Sequence, residues 1–229
     1  MSRNNSIPDQ FVFSKMQTDA GEHINAIRNR KELERMAGGT FWWGIGESKG
    51  QVIETLRRAK PHPEVLFSLM PSRPSAQSRE PGEVFVWESF RTPQGELPLP
   101  AHVIVISGGT RTGTPKARYH ALVCASPLPI LENGGGTVDA TQLINIGDSG
   151  RPLGSSQVTA AVRYSPKIGA VAPRPYRIAA RATLEPPYFA DLANPRKLSG
   201  AELRLLYDVG REGKSVEDWV AVTRQLRGL

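Results

Sequence analysis

The chain has 229 residues, 39% hydrophobic and 22% charged, which is apolar enough for a substantial core and far from the composition of a disordered polymer. Twenty-two glycines and 19 prolines favour many turns between short strands and count against a bundle of long helices. Lysine and arginine number 29 against 22 aspartates and glutamates, a net charge of +7, and the single Cys124 excludes an internal disulfide or a cysteine-rich zinc site.

Cys124 sits in the apolar run Ala121 to Ala125, the setting of a small buried thiol in a reducing compartment. No run approaches the roughly 18 apolar residues of a membrane span, and the opening MSRNNSIPDQ lacks the apolar segment of a signal peptide. The expectation is a cytoplasmic protein with no membrane partner.

Phe11 to Met16 reads as a short strand with Phe11 and Phe13 on one face. Residues 20–36 place Ile24, Ile27, Leu33 and Met36 at roughly helical spacing, and Gly38 with Gly39 ends the run. Thr40 to Ile45 is a strand carrying Phe41, Trp42 and Trp43, after which Ser48 is placed to cap a helix over 50–60 that Pro61 and Pro63 stop. Val65 to Met70 is the next strand, Pro71 to Gly82 a polar loop with nothing to bury, and Glu83 to Phe90 an alternating strand. A hairpin is expected to join 102–107 to 119–125 through the polar tip GGTRTGTPKAR. Residues 131–156 are rich in Gly and Asn, 158–164 reads as a late strand, and 166–196 is dense in Pro and Arg. Ser199 and Ser215 each precede an amphipathic stretch and read as helix caps, with Trp219 in the apolar stripe of the second helix.

The positive charge is concentrated: residues 151–197 hold 8 basic and 2 acidic side chains, against 16 and 15 in residues 1–150 and 5 and 5 in 198–229. Arg174, Arg177 and Arg181 interleave with Tyr176, Tyr188 and Phe189, the composition of a surface that neutralises phosphates and stacks bases, and equally that of a solubilising arm. Arg111 and Lys116 in the glycine-rich tip are further candidates for phosphate contact.

Catalytic constellations are missing. His23, His62, His102 and His120 have no metal-holding spacing, and no metal or cofactor is implied. Gly108 to Thr114 has the outline of a phosphate loop but lacks its lysine, and Pro115 stands where the helix should begin. Neither Cys124 nor the turn Asp148-Ser149-Gly150 supplies a nucleophile with its base. A nuclease using scattered acids such as Glu83 and Glu88 stays open, because such sites have loose spacing. The carboxy-terminal helices have the outline of a helix-turn-helix, and equally of a pair packed on the sheet or on a second copy.

The order strand, helix, Trp-bearing strand, helix, strand, loop, strand resembles the PUA-like barrels of the EVE and YTH domains, which read modified nucleobases. Phe11 to Lys15 is similar to their opening strand, with Ser14 and Lys15 in the reverse of the family's Lys-Ser order. Trp42-Trp43-Gly44-Ile45 resembles the EVE pattern at Trp42 and Gly44 without its Arg and Asn, and Val65 to Leu69 looks like the YTH strand Leu-Phe-Ser-Val. The resemblance covers about 110 residues and implies an α+β fold whose mixed, strongly curved sheet closes toward a barrel. It implies Trp42, Trp43 and Trp87 as base-stacking candidates and Ser14, Lys15 and Ser68 as polar partners of a base edge or phosphate. Adjacent Trp42 and Trp43 point to opposite faces of a strand, so either both pack or one packs while the other lines a site. The expected organisation is a barrel over 1–130, a basic extension over 131–197 and a helical pair over 198–229. The expected function is recognition of a modified or flipped base in DNA or RNA without turnover, the rivals being a protein-interaction subunit, with a protein partner or a second copy, and a nuclease.

Overall fold

The computed structural model describes residues 7–16, 22–46, 50–69, 83–125, 136–147, 150–154, 157–166 and 172–228; the expected loop at 71–82, the Ser48 cap and Asp148-Ser149 lie outside them. The described elements run β1 (Gln10–Met16), α1 (Ile24–Gly38), β2 (Thr40–Ile45), α2 (Gly50–Ala59), β3 (Glu64–Leu69), β4 (Val84–Thr92), β5 (Gly95–Pro98), β6 (Val105–Gly108) and β7 (His120–Ala125). There follow β8 (Thr137–Asp139), a short 3-10 turn, β9 (Leu143–Asn145), β10 (Thr159–Tyr164), β11 (Pro175–Lys197), α3 (Gly200–Val209) and α4 (Val216–Arg227). No described helix is long and apolar enough to cross a membrane.

Two compact units are each assembled from separated segments: Met1–Met16, Ser48–Met70 and Ser126–Tyr188 form the first, and Gln17–Glu47, Pro71–Ala125 and Phe189–Leu229 the second. The sequence divisions at 130 and 197 fall inside these units. Of the extension expected over 131–197, residues 175–197 form the single strand β11, which gives its first 14 residues to one unit and its last nine to the other. Of its four prolines, Pro175 opens the strand, Pro186-Pro187 fall between the last β3 pair at Thr183 and the first β4 pair at Asp191, and Pro195 stands within the β4 ladder opposite Trp87.

In the first unit β1 and β3 run parallel, from Val12 opposite Val65 to Met16 opposite Leu69. The antiparallel strands β10 and β9 extend one side and β11 pairs with β3 on the other. Strand alternation sends Phe11 and Phe13 to one face, where they pack with Leu66, Val138, Leu143, Leu153, Val162 and Ile178. The amphipathic α2 packs on β1 and β10 and buries Ile53 and Leu56.

In the second unit β2 pairs with β7, β7 with β11, and β11 with β4, which also carries β5 and β6. The expected hairpin between 102–107 and 119–125 does not form. Ala121, Leu122, Val123 and Cys124 are all buried, and a strand apolar on both faces belongs between two neighbours, here β2 and β11, so β6 pairs with β4 instead. Capping boxes at Ser199 and Ser215 start α3 and α4, and Leu206, Val209, Trp219, Val222 and Leu226 close over Val84, Val86, Ile104 and Ile106.

The barrel does not close: no ladder joins β6 to β2 among the described residues. The polar groups of this seam are taken by side chains of α1 instead. Glu34, fully buried, accepts from the Trp42 amide at 2.6 Å and the Ile104 amide at 3.4 Å, while Lys31 Nζ donates to the Ile104 carbonyl and to Glu34, both at 2.8 Å. Arg30, also buried, reaches the same carbonyl at 3.4 Å and makes a two-pronged pair with Glu22. A strand edge buried without ladder partners would leave its amides unsatisfied, and α1 supplies the substitutes.

Candidate functional site

The carboxyl ends of parallel strands are the usual place for a ligand crevice in a mixed sheet, because the following connections diverge there. In the first unit that place is held by Lys15 on β1 and Ser68 on β3, directly opposite in register and on the Phe13 face of the sheet. Both are buried, Lys15 at 2% exposure and Ser68 at 0%. The Lys15 ammonium lies 4.8 Å from the centre of the Tyr176 ring, which in turn packs 5.7 Å from the ring of Phe13. The Ser68 hydroxyl has no hydrogen-bond partner among the described residues. Leaving such a group unsatisfied costs about 1–3 kcal/mol.

The other candidates of this unit divide by role. Ser14 points to the opposite face, and its hydroxyl shares a 3.0 Å hydrogen bond with Thr159, so it is absorbed by the sheet. Arg181 stands opposite Leu66, on the Ser68 face, with Glu64 at 4.0 Å. Arg177 is exposed opposite Thr137. Arg174 is structural: its amide donates to the Asp139 carboxylate at 2.9 Å and its guanidinium to the Leu153 carbonyl. The Arg174 amide, and then that of Thr141, hold the Asp139 carboxyl below the usual range.

The tryptophans, Arg111 and Lys116 belong to the second unit. Trp42 is 2% exposed and packs edge-on to Phe90; Trp87 is 3% exposed, stacks on Tyr119 at 5.5 Å and donates from its indole N–H to Ser107. Gly44 makes room for this stack, since a Cβ there would come within 2.7 Å of the Tyr119 hydroxyl. Trp43 is buried on the opposite face, directly across from Leu122. Lys116 lies over the Tyr119 ring at 4.9 Å. Arg111 is exposed in the 108–114 loop, where the hydroxyls of Thr110, Thr112 and Thr114 bond one another and a strand, not a helix, is the next element, so no phosphate loop is built.

Two features escape sequence reading. Tyr176 counts only as composition in a basic tract, yet its ring sits over Lys15, 161 residues away. His120 meets Asp191 at 3.4 Å and stacks on Phe189 at 4.7 Å, a contact between strands for which the chain gives no local signal. No group of three or more His, Cys, Asp or Glu is placed to hold a metal ion among the described residues. Comparison of the chain with protein-family models, curated proteins and solved structures finds no match.

Proposed function

We propose that the chain binds nucleic acid without turnover and takes a modified or flipped base at the carboxyl ends of β1 and β3. The observation that carries this reading is the buried, unpartnered Ser68 hydroxyl beside the Lys15 ammonium and the Tyr176 ring. A base without its stack needs an aromatic face and a few polar groups for its edge, and this corner of the sheet offers both. Charge agrees: the first unit holds 12 basic and 7 acidic side chains, a net +5, whereas the second holds 17 and 15, a net +2. Phosphates are attracted to the more positive unit with little regard for sequence.

The test is a titration of labelled DNA and RNA oligomers, with and without methylated or hydroxymethylated bases, at rising salt. The logarithm of affinity should fall linearly with the logarithm of salt concentration. Lys15→Met, which keeps the apolar stem, should weaken binding about 10-fold or more, the effect of one hydrogen bond to a charged group. Ser68→Ala should compress the difference between modified and unmodified oligomers. A flat salt response, or unchanged binding by both folded variants, would refute the proposal.

A further inference from the structure

We infer that Tyr176 is the gate of the Lys15–Ser68 site: its ring occupies the place over the ammonium that a ligand takes, and it must swing aside to admit one. The inference rests on the reading of that site given above. Lys15 and Ser68 are at most 2% exposed, so no ligand reaches them while their surroundings stay as they are. Tyr176, by contrast, is half-buried, between exposed Pro175 and Arg177.

The backbone under this ring lies beyond the β3 ladder. The β3 ladder ends at Ile178, beside a register irregularity between Ile178 and Ala180, and residues 175–177 pair instead with the three-residue β8. A short two-stranded ribbon is marginal by itself and opens more readily than the sheet it hangs from. The ribbon is anchored at its base, where Arg174 bonds Asp139 and Leu153, so the gate is the Tyr176 ring with the strand residues 175–177 that carry it. The ring is held by apolar packing on the Phe11–Phe13 core, which includes the tilted contact with Phe13, and by the cation–π contact with Lys15. A base stacking over the same ammonium replaces the second of these in kind, so opening and binding exchange like for like.

Brief acylation of the folded protein with an amine-reactive acetyl ester, read by peptide mass spectrometry, tests the gate without any ligand. Lys31 is the internal control, because it is buried to the same degree (3% exposed) in the second unit, where its ammonium is held by Glu34 and the Ile104 carbonyl. Burial also pushes the Lys31 ammonium down to about 8, so a good part of it is free amine at pH 8 and its protection there reports access. Lys15 should react at least 10-fold faster than Lys31 in the parent, Tyr176→Ala should accelerate it several-fold further, and Tyr176→Phe should leave it unchanged. Equal protection of Lys15 and Lys31 overturns the gate, as does a folded Tyr176→Ala variant that reacts like the parent. Should Tyr176→Ala fail to fold, the parent's Lys15-to-Lys31 ratio decides alone. A saturating oligonucleotide should slow Lys15 acylation; fast acylation that the oligonucleotide leaves unaltered would keep the gate and overturn the base-reading proposal instead.

Discussion

Removing the Glu34 carboxylate tests whether α1 substitutes for the missing β6–β2 ladder. In Glu34→Ala the Trp42 and Ile104 amides lose their acceptor and the buried Lys31 ammonium loses its counter-charge. Each orphaned amide costs about 1–3 kcal/mol, and breaking a buried pair from one side about 3–5 kcal/mol. These terms overlap, because Lys31 still donates to the Ile104 carbonyl, so about 3–5 kcal/mol is expected in total. At roughly 2–4 °C per kcal/mol for a chain of this size, the melting temperature should drop by about 6–20 °C. Thermal denaturation followed by circular dichroism measures it, and pH supplies a second check. Without Glu34, which raises the Lys31 pKa, that ammonium titrates lower still and deprotonates in the variant before it does in the parent, so the stability deficit should narrow as pH goes from 6 to 9. A deficit below 1 kcal/mol, or one that widens with pH, would show that the seam does not depend on this network.

Three other outcomes follow from the same packing. Lys31 titrates near 8 in the fold against 10.5 in the unfolded chain, chiefly because burial disfavours its charge; the unfolded state therefore binds more protons between these values, and stability should rise with pH across that window by up to about 3 kcal/mol, a rise that Lys31→Met should abolish in denaturant titrations. Trp42→Ala, Trp43→Ala and Trp87→Ala should each cost about 3–5 kcal/mol in urea unfolding, and a variant that kept the parent midpoint would return its tryptophan to the list of ligand-facing residues. Cys124 is fully buried and burial pushes its thiol up, so iodoacetamide should label it only in denaturant, labelling of the folded chain being the contrary result.

The elements are legible in the sequence because their signals are local. Thr40 to Ile45 is a strand as its residues predict, α2 stops before Pro61, and the two serines near the carboxyl end cap their helices through the reciprocal bonds that Ser-x-x-Glu and Ser-x-x-Asp permit. Pairing is another matter. The tip GGTRTGTPKAR looks like a hairpin loop, but the strands it connects each find better partners in β4, β2 and β11, and that choice depends on apolar faces contributed from far along the chain. The prolines of 175–197 likewise suggest an extension, yet three of the four stand at the start of β11 or between its β3 and β4 pairings, and only Pro195 lies within a ladder, opposite Trp87.

The candidate site shows how far register governs what a motif means. Residues next to each other on a strand point to opposite faces, so of Ser14 and Lys15 only one can share a face with Ser68. The parallel pairing of β1 with β3 puts Lys15 opposite Ser68 and sends Ser14 to Thr159, and no local pattern in either strand states that register. With the order Lys-Ser at these two positions the hydroxyl would stand beside Ser68 and the ammonium would meet Thr159 on the other face. The reversed order in this chain therefore sets a cation next to an unpartnered hydroxyl and beneath an aromatic ring. The tryptophans fail as markers for the complementary reason. An indole stacks on a base or fills a core with the same apolar face; Trp42 and Trp87 are buried among Phe90, Tyr119 and their neighbours, and Trp43 is buried on the other face of β2. A buried hydroxyl without a partner adds nothing to a core, which is why the proposed site is placed at Ser68 beside Lys15 and not at the aromatic residues that first suggest one.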